Sequence, residues 1–176
     1  MERFSTKKIC IGALFLAAGV LLPQIFHAIG GPAAGGMFLP MHIPILLAGM
    51  LLGIPYGVLL GVTTPIFSFL VSGMPPPAKL PFMILELTAY GALAGLPLAR
   101  GLGGIYVRLL LAQAGGRFVY ALALAAAVYI LHLSVPPAAS VWTALAAGIP
   151  GILLQWVFVP ALTLLLKKAL DSRSTI

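Results

Sequence analysis

Acidic residues are almost missing from this chain. Glu2, Glu86 and Asp171 are the only three in 176 residues, and charged residues of both signs together make up 7%. A water-facing globular surface needs about a quarter charged residues, so this chain cannot dress itself for water. Cysteine is reduced to Cys10, which excludes an internal disulfide and any cysteine-built metal cage; lying in the first apolar run, it reads as a small packing residue. Catalytic signatures are absent too. There is no Gly-x-x-x-x-Gly-Lys-Ser/Thr for ATP hydrolysis, no His-Glu-x-x-His or cysteine–histidine cluster for a metal, and no Gly-x-Ser-x-Gly elbow. With Glu86 the one acid inside an apolar run, a carboxylate relay for protons lacks parts. A chain that binds no metal or cofactor, is not itself an enzyme and borrows its energy elsewhere is the expectation.

Apolar residues fill the place of what is missing. They make up 61% of the chain, and mean hydropathy is +1.14. They come in long, non-alternating runs, and about 20 such residues cross a hydrocarbon core of roughly 30 Å. The fold class expected is an all-α integral membrane protein with six spans in one domain over 1–176. Breakers between the runs place these spans at about 9–29, 41–53, 58–71, 80–99, 105–131 and 141–168. Arg3, Lys7 and Lys8 precede the first run as in a signal peptide, but no small-x-small cleavage site closes it, so it reads as a retained helix. The second and third spans are short, as cavity-lining helices are. The glycine-rich segment 30–36 reads as a flexible loop, 54–57 as a turn, and 73–77 as a second break.

The formal charge of +7 is not a nucleic-acid footprint, because the bases lie at chain ends and short connections. With six spans, Arg3, Lys7, Lys8, Arg100, Arg108, Lys167, Lys168 and Arg173 share one side, and Lys79 lies on the other. That bias puts both termini in the cytoplasm. Segments 30–40 and 73–80 then face outward as two apposed lids, with Gly35, Gly36, Gly73 and Pro75 as gating positions over a pocket.

Two charges stand inside the membrane. Glu86 lies about two turns into the fourth span, with Tyr90 one turn later on the same face. A carboxylate there costs on the order of 2.5–3.5 kcal/mol and calls for a partner or a cavity. Arg117 follows Gly115-Gly116 in the fifth span, with Gln113 one turn earlier. Its guanidinium stays charged and needs an anion, either Glu86 or a ligand. An ion pair that only bolts helices together is the plain alternative, although such pairs stabilise poorly. His42, between the glycine-rich segment and the proline-bent second helix, is the better histidine candidate; His27 and His132 read as interfacial hydrogen-bonding residues. Gln155, with Trp156, and Thr63, Thr64 and Ser68 are weaker candidates, because membrane Ser and Thr often bond their own helix. Ala13-x-x-x-Ala17 and Gly91-x-x-x-Gly95 have the spacing of close helix contacts.

Several of these stretches form an ordered series. Phe38-Leu39-Pro40-Met41-His42-Ile43-Pro44-Ile45-Leu46-Leu47-Ala48-Gly49 leads to Gly61-Val62-Thr63-Thr64-Pro65 and Ser72-Gly73-Met74-Pro75-Pro76. Leu85-Glu86-Leu87-Thr88-Ala89-Tyr90-Gly91 and Ala114-Gly115-Gly116-Arg117 complete it. The series resembles the substrate-binding S components of energy-coupling factor (ECF) vitamin transporters over nearly the whole chain. The resemblance implies a six-helix subunit of a prokaryotic cell membrane that captures a vitamin or precursor from outside. It implies as partners a transmembrane coupling subunit and two cytoplasmic ATPases, which use the ATP, and it casts Ala13 and Ala17 as the docking motif for the coupling subunit. Metal-uptake members begin Met-His, whereas this chain begins Met1-Glu2-Arg3, which argues against nickel or cobalt. Pantothenate, pyridoxine and cobalamin fragments are the substrate types it suggests. From the residues alone, a solitary facilitator or carrier and a non-transporting structural membrane protein stay open. His42, Glu86, Tyr90, Arg117 and Gln155 are the expected substrate-binding residues.

Overall fold

A computed structural model describes residues 5–98, 101–132 and 141–172. Among them the chain forms six helices and no strand. These are α1 (Thr6–Phe38), α2 (His42–Leu52), α3 (Ile54–Ser72), α4 (Leu80–Ala94), α5 (Gly101–Tyr129) and α6 (Val141–Ser172). Five apolar stretches are long enough to cross a membrane; α4, with 15 residues, is shorter, about 22 Å at the helical rise. Of the bases used for topology, Arg3, Arg100 and Arg173 lie outside the described residues, as do Glu2 and the expected end of the fourth span at 99.

The glycine-rich segment corrects the expectation of a flexible loop. It is helical, bent at Gly31, where φ is 67° and ψ −171°. Only glycine occupies that region readily, and the following Pro32 steers its predecessor away from α geometry. The helix resumes at once, and Ala33–Leu52 is a 20-residue apolar span interrupted at Leu39, which takes a left-handed conformation with φ 49°. Helix α2 itself is short, as expected, with 11 residues, and the end of α1 extends the apolar stretch to 20. Residues 54–57 likewise do not form a free turn: Pro55 sits in the first turn of α3, where its missing N–H costs nothing, and α3 reaches 19 residues.

Helix α2 is the pillar of the bundle. It packs against each of the other helices, which ring it in the order α1, α3, α4, α5, α6 and back to α1. Its sequence is apolar all round, the signature of a helix buried on every side, and Ile45, Leu46 and Ala48 have no exposure. The expectation that the second helix merely walls a cavity thus understates it. The main core joins Leu46, Leu47 and Met50 of α2 to Tyr90, Leu109 and Val159 of α4, α5 and α6.

Lipid offers no hydrophobic drive to bring helices together, so close van der Waals contact between small residues must do it. The α3–α4 pair shows how. Gly57 and Gly91 face each other so closely that a Cβ on either would overlap the other's backbone, and Gly61 and Gly95 meet Leu87–Thr88 and Gly53–Ile54 in the same way. Leu14, Leu70, Phe118, Leu153 and Val157 point outward, as lipid-facing side chains do.

The two ends of the bundle differ. At one, Lys7 Nζ donates to the Leu170 carbonyl at 3.1 Å, bringing the start of α1 and the end of α6 together. A basic groove there includes Lys7, Lys8, Arg108 and Lys167. The other end holds residues 73–79 and the polar cavity.

Candidate functional site

The cavity is assembled from three breaks in regular structure and one close helix contact. The Gly31 bend folds the end of α1 back so that Gly35 faces His27, with Gly36 beside it on the cavity. The Leu39 break delivers His42 to the first turn of α2, and the non-helical residues 73–79 cross the mouth. Finally, Gly115 and Gly116 let α5 approach α4: a Cβ on Gly116 would overlap the Tyr90 ring, and one on Gly115 would overlap Leu93. That approach sets Arg117 opposite Glu86.

Glu86 Oε1 and Arg117 Nη1 form an ion pair at 2.9 Å, with side-chain exposures of 6% and 11%. His42 Nε2 lies 3.9 Å from the same oxygen, beyond hydrogen-bonding distance. The His42 imidazole instead stands edge-on to Tyr90, with centroids 4.9 Å apart and planes at 81°. Around these groups lies a cavity of about 170 Å³. Glu86, Arg117, His42, His27, Ser68 and Lys79 are its polar lining, and Met41, Met74, Met83 and several prolines are its apolar lining.

Polar satisfaction is incomplete here, which is unusual for buried groups. Both His42 nitrogens, Ser68 Oγ, Tyr90 OH, Glu86 Oε1, and Arg117 Nε and Nη2 are buried without a hydrogen-bond partner, the Glu86–Arg117 contact being an ion pair. Apart from Tyr90, which lies beneath the wall, each belongs to a residue lining the cavity.

The expected site residues separate into groups. His42, Glu86 and Arg117 line one cavity with Gly35, Gly36 and Pro75; Gly73 ends α3 beside it in a left-handed conformation. Gly35 and Gly36 do so from a helical turn, not from a loop. Gln155 is elsewhere. Fully buried, it accepts from Gln113 Nε2 at 3.0 Å, and Gln113 Oε1 accepts from Trp156 Nε1 at 2.8 Å. Those three tie α5 to α6 outside the cavity lining. Thr63 bonds the Leu59 carbonyl of its own helix at 2.8 Å, and Gln24 donates to Ser72 at 2.9 Å. Ala13 and Ala17 lie on the exposed side of α1, whose opposite side carries Gly12 against Tyr56 and Gly19 against Thr64.

Sequence reasoning gave no site role to His27 or Lys79, and little weight to Ser68. His27 carried one weak signal, its position one turn after Pro23, another lining residue. Its importance comes from the Gly31 bend, which places Gly35 so close to the imidazole that a Cβ there would overlap it. Among the described residues no three His, Cys, Asp or Glu side chains gather as a metal site.

A helical bundle with one polar cavity at an end, and charges buried at its floor, defines a membrane-embedded binding protein. Residues 7–165 match the family of the ECF transporter substrate-specific component, and the chain belongs to that family. It is a multi-pass protein of a prokaryotic plasma membrane, the substrate-binding membrane component of an ECF transporter, and it associates with other subunits of that transporter. No curated protein and no solved structure matches the chain.

Proposed function

We propose that this component captures a water-soluble vitamin or cofactor precursor of the pantothenate, pyridoxine or cobalamin-fragment type from outside the cell. A transmembrane coupling subunit and two cytoplasmic ATPases, which consume the ATP, then drive its release inward. One observation carries the reading: the Glu86–Arg117 pair and His42 form the buried wall of a cavity rather than a closed contact. Intramembrane charges are costly and face a partner or a pathway. A pair that only bolted helices would gain nothing from adjacent unpartnered donors, because each of these costs about 1–3 kcal/mol.

Charge asymmetry supports the orientation. Lys7, Lys8, Arg108 and Lys167 gather at the end where the start of α1 meets the end of α6. The positive-inside rule makes that end cytoplasmic and turns the cavity outward. Residues 73–79 then close the mouth, with Gly35 and Gly36 opposite. Ala13 and Ala17, exposed on α1, offer the coupling subunit a smooth strip for close helix approach.

Titration calorimetry on the protein in lipid nanodiscs with pantothenate, pyridoxine and cobinamide tests capture. Heat of binding for one of them, lost in Glu86→Gln and Arg117→Ala, is the expected result. Unchanged affinity in both variants would remove the site assignment. Uptake by cells that lack the coupling subunit would show a solitary facilitator instead.

A further inference from the structure

Among the buried polar atoms around the cavity, Nε and Nη2 of Arg117 can only donate, and no acceptor meets them. Arg117 spends Nη1 on Glu86, and this leaves Nε and Nη2 buried and unpartnered. Those two nitrogens form one edge of the guanidinium, whose parallel N–H bonds match the two oxygens of a carboxylate. Gly148 of α6 lies beside that edge, where an added Cβ would stand 3.0 Å from Nη2 and crowd the guanidinium. Ser68 adds a buried hydroxyl without a partner, and Lys79 adds an ammonium at the mouth.

Charge around the cavity is unbalanced. Among the described residues no acid pairs with Lys79, and the chain's other acids, Glu2 and Asp171, belong to the terminal segments. Two cations, Arg117 and Lys79, therefore line the cavity with one carboxylate, Glu86, an excess of one positive charge among its permanently charged groups. A cation would add to that excess, and a dianion would overshoot it beside a floor that is nearly buried. A monoanion would neutralise it. The remaining wall, with Met41, Met74 and Met83 between prolines, is apolar and adaptable and suits a hydrocarbon or ring body.

We infer that the cavity takes a small monocarboxylate, its carboxylate gripped by the free Nε/Nη2 edge of Arg117 with help from Ser68 and Lys79, and its body laid against the methionine wall. Glu86 is then a positioning residue that holds the other end of the guanidinium. This rests on the proposal that the cavity is the substrate site, and it selects the carboxylate-bearing precursors among the candidates.

The test uses the full chain in nanodiscs and two measurements. Native mass spectrometry identifies any small molecule that co-purifies. Calorimetry then compares matched acids and primary amides (pantothenate and pantothenamide, nicotinate and nicotinamide, lipoate and lipoamide), with pyridoxine as neutral and thiamine as cationic control. A bound carboxylic acid is expected, its amide at least about tenfold weaker, in keeping with a charged hydrogen bond. Lys79→Gln and Ser68→Ala should each weaken the acid severalfold, while Lys79→Arg retains it; gel filtration checks that each variant is folded. A neutral or cationic molecule bound more tightly than any acid overturns the inference and leaves the cavity as the substrate site. An acid bound unchanged in both Lys79→Gln and Ser68→Ala overturns the proposed anchoring. No bound molecule in either measurement overturns the inference and the substrate-capture reading together.

Discussion

Glu86 and Arg117 are a pair in which neither partner tolerates the other's loss. Each is nearly buried, and removing one strands a charge in a medium that cannot solvate it. Arg117→Ala should therefore lower stability by about 3–5 kcal/mol, as expected for a broken buried pair, read as a drop in thermal unfolding midpoint in detergent. Glu86→Gln combined with Arg117→Gln removes both charges and should recover much of that midpoint while still failing to bind ligand. A double variant as unstable as Arg117→Ala would mean that packing, not stranded charge, governs the site. The pair itself was legible in the sequence, because a lone acid and a lone base in apolar spans need each other or a ligand. His27 and Lys79 were not. A lone interfacial histidine and a lone outer lysine look like ordinary surface residues until the folded bundle sets both on one cavity.

Two glycines show different physics at the element scale. Gly91 is a packing glycine: its backbone touches Gly57 across α3–α4. Gly91→Val should cost about 1–3 kcal/mol or more by overpacking and lower the unfolding midpoint as the two helices separate. Gly31 is a conformational glycine, with nothing within 4 Å of where its Cβ would stand. Gly31→Ala should still cost about 1–3 kcal/mol, because only the backbone geometry is strained. The same scan measures it, and a neutral outcome would show that the bend has another cause. Hydropathy located the helices but misread this stretch: glycine and proline mark breakers, yet one Gly-Pro step suffices to bend a helix that otherwise continues.

For the whole molecule, the ring of five helices around α2 leaves one face of α1 and two distinct ends for other tasks. Ala13→Leu with Ala17→Leu alters only the exposed side of α1. It should leave ligand affinity within about twofold, as distant surface changes do, while abolishing co-purification with the coupling subunit and uptake. Retained uptake would remove those alanines from the interface. Orientation has its own measurement. With Cys10→Ser as background, Lys79→Cys should react with a membrane-impermeant maleimide from outside intact cells, and Lys168→Cys only after permeabilisation. The reverse pattern would place the cavity in the cytoplasm.

Membrane residence, the helical class and the intramembrane charges were determined by the sequence alone, because a bilayer admits few solutions for apolar runs of this length and makes every buried charge conspicuous. Family membership was also legible there, through the ordered motifs from Phe38 to Arg117. Only the tertiary structure decided that α2 is central, that the glycine-rich segment is a bent helix, and that Gln155 joins Gln113 and Trp156 rather than the cavity. These depend on which helix faces which, and in lipid that is set by small differences in close packing among many apolar surfaces. The cavity is the sum of such choices: two charges visible in the sequence, and a space between them that the assembled bundle alone defines.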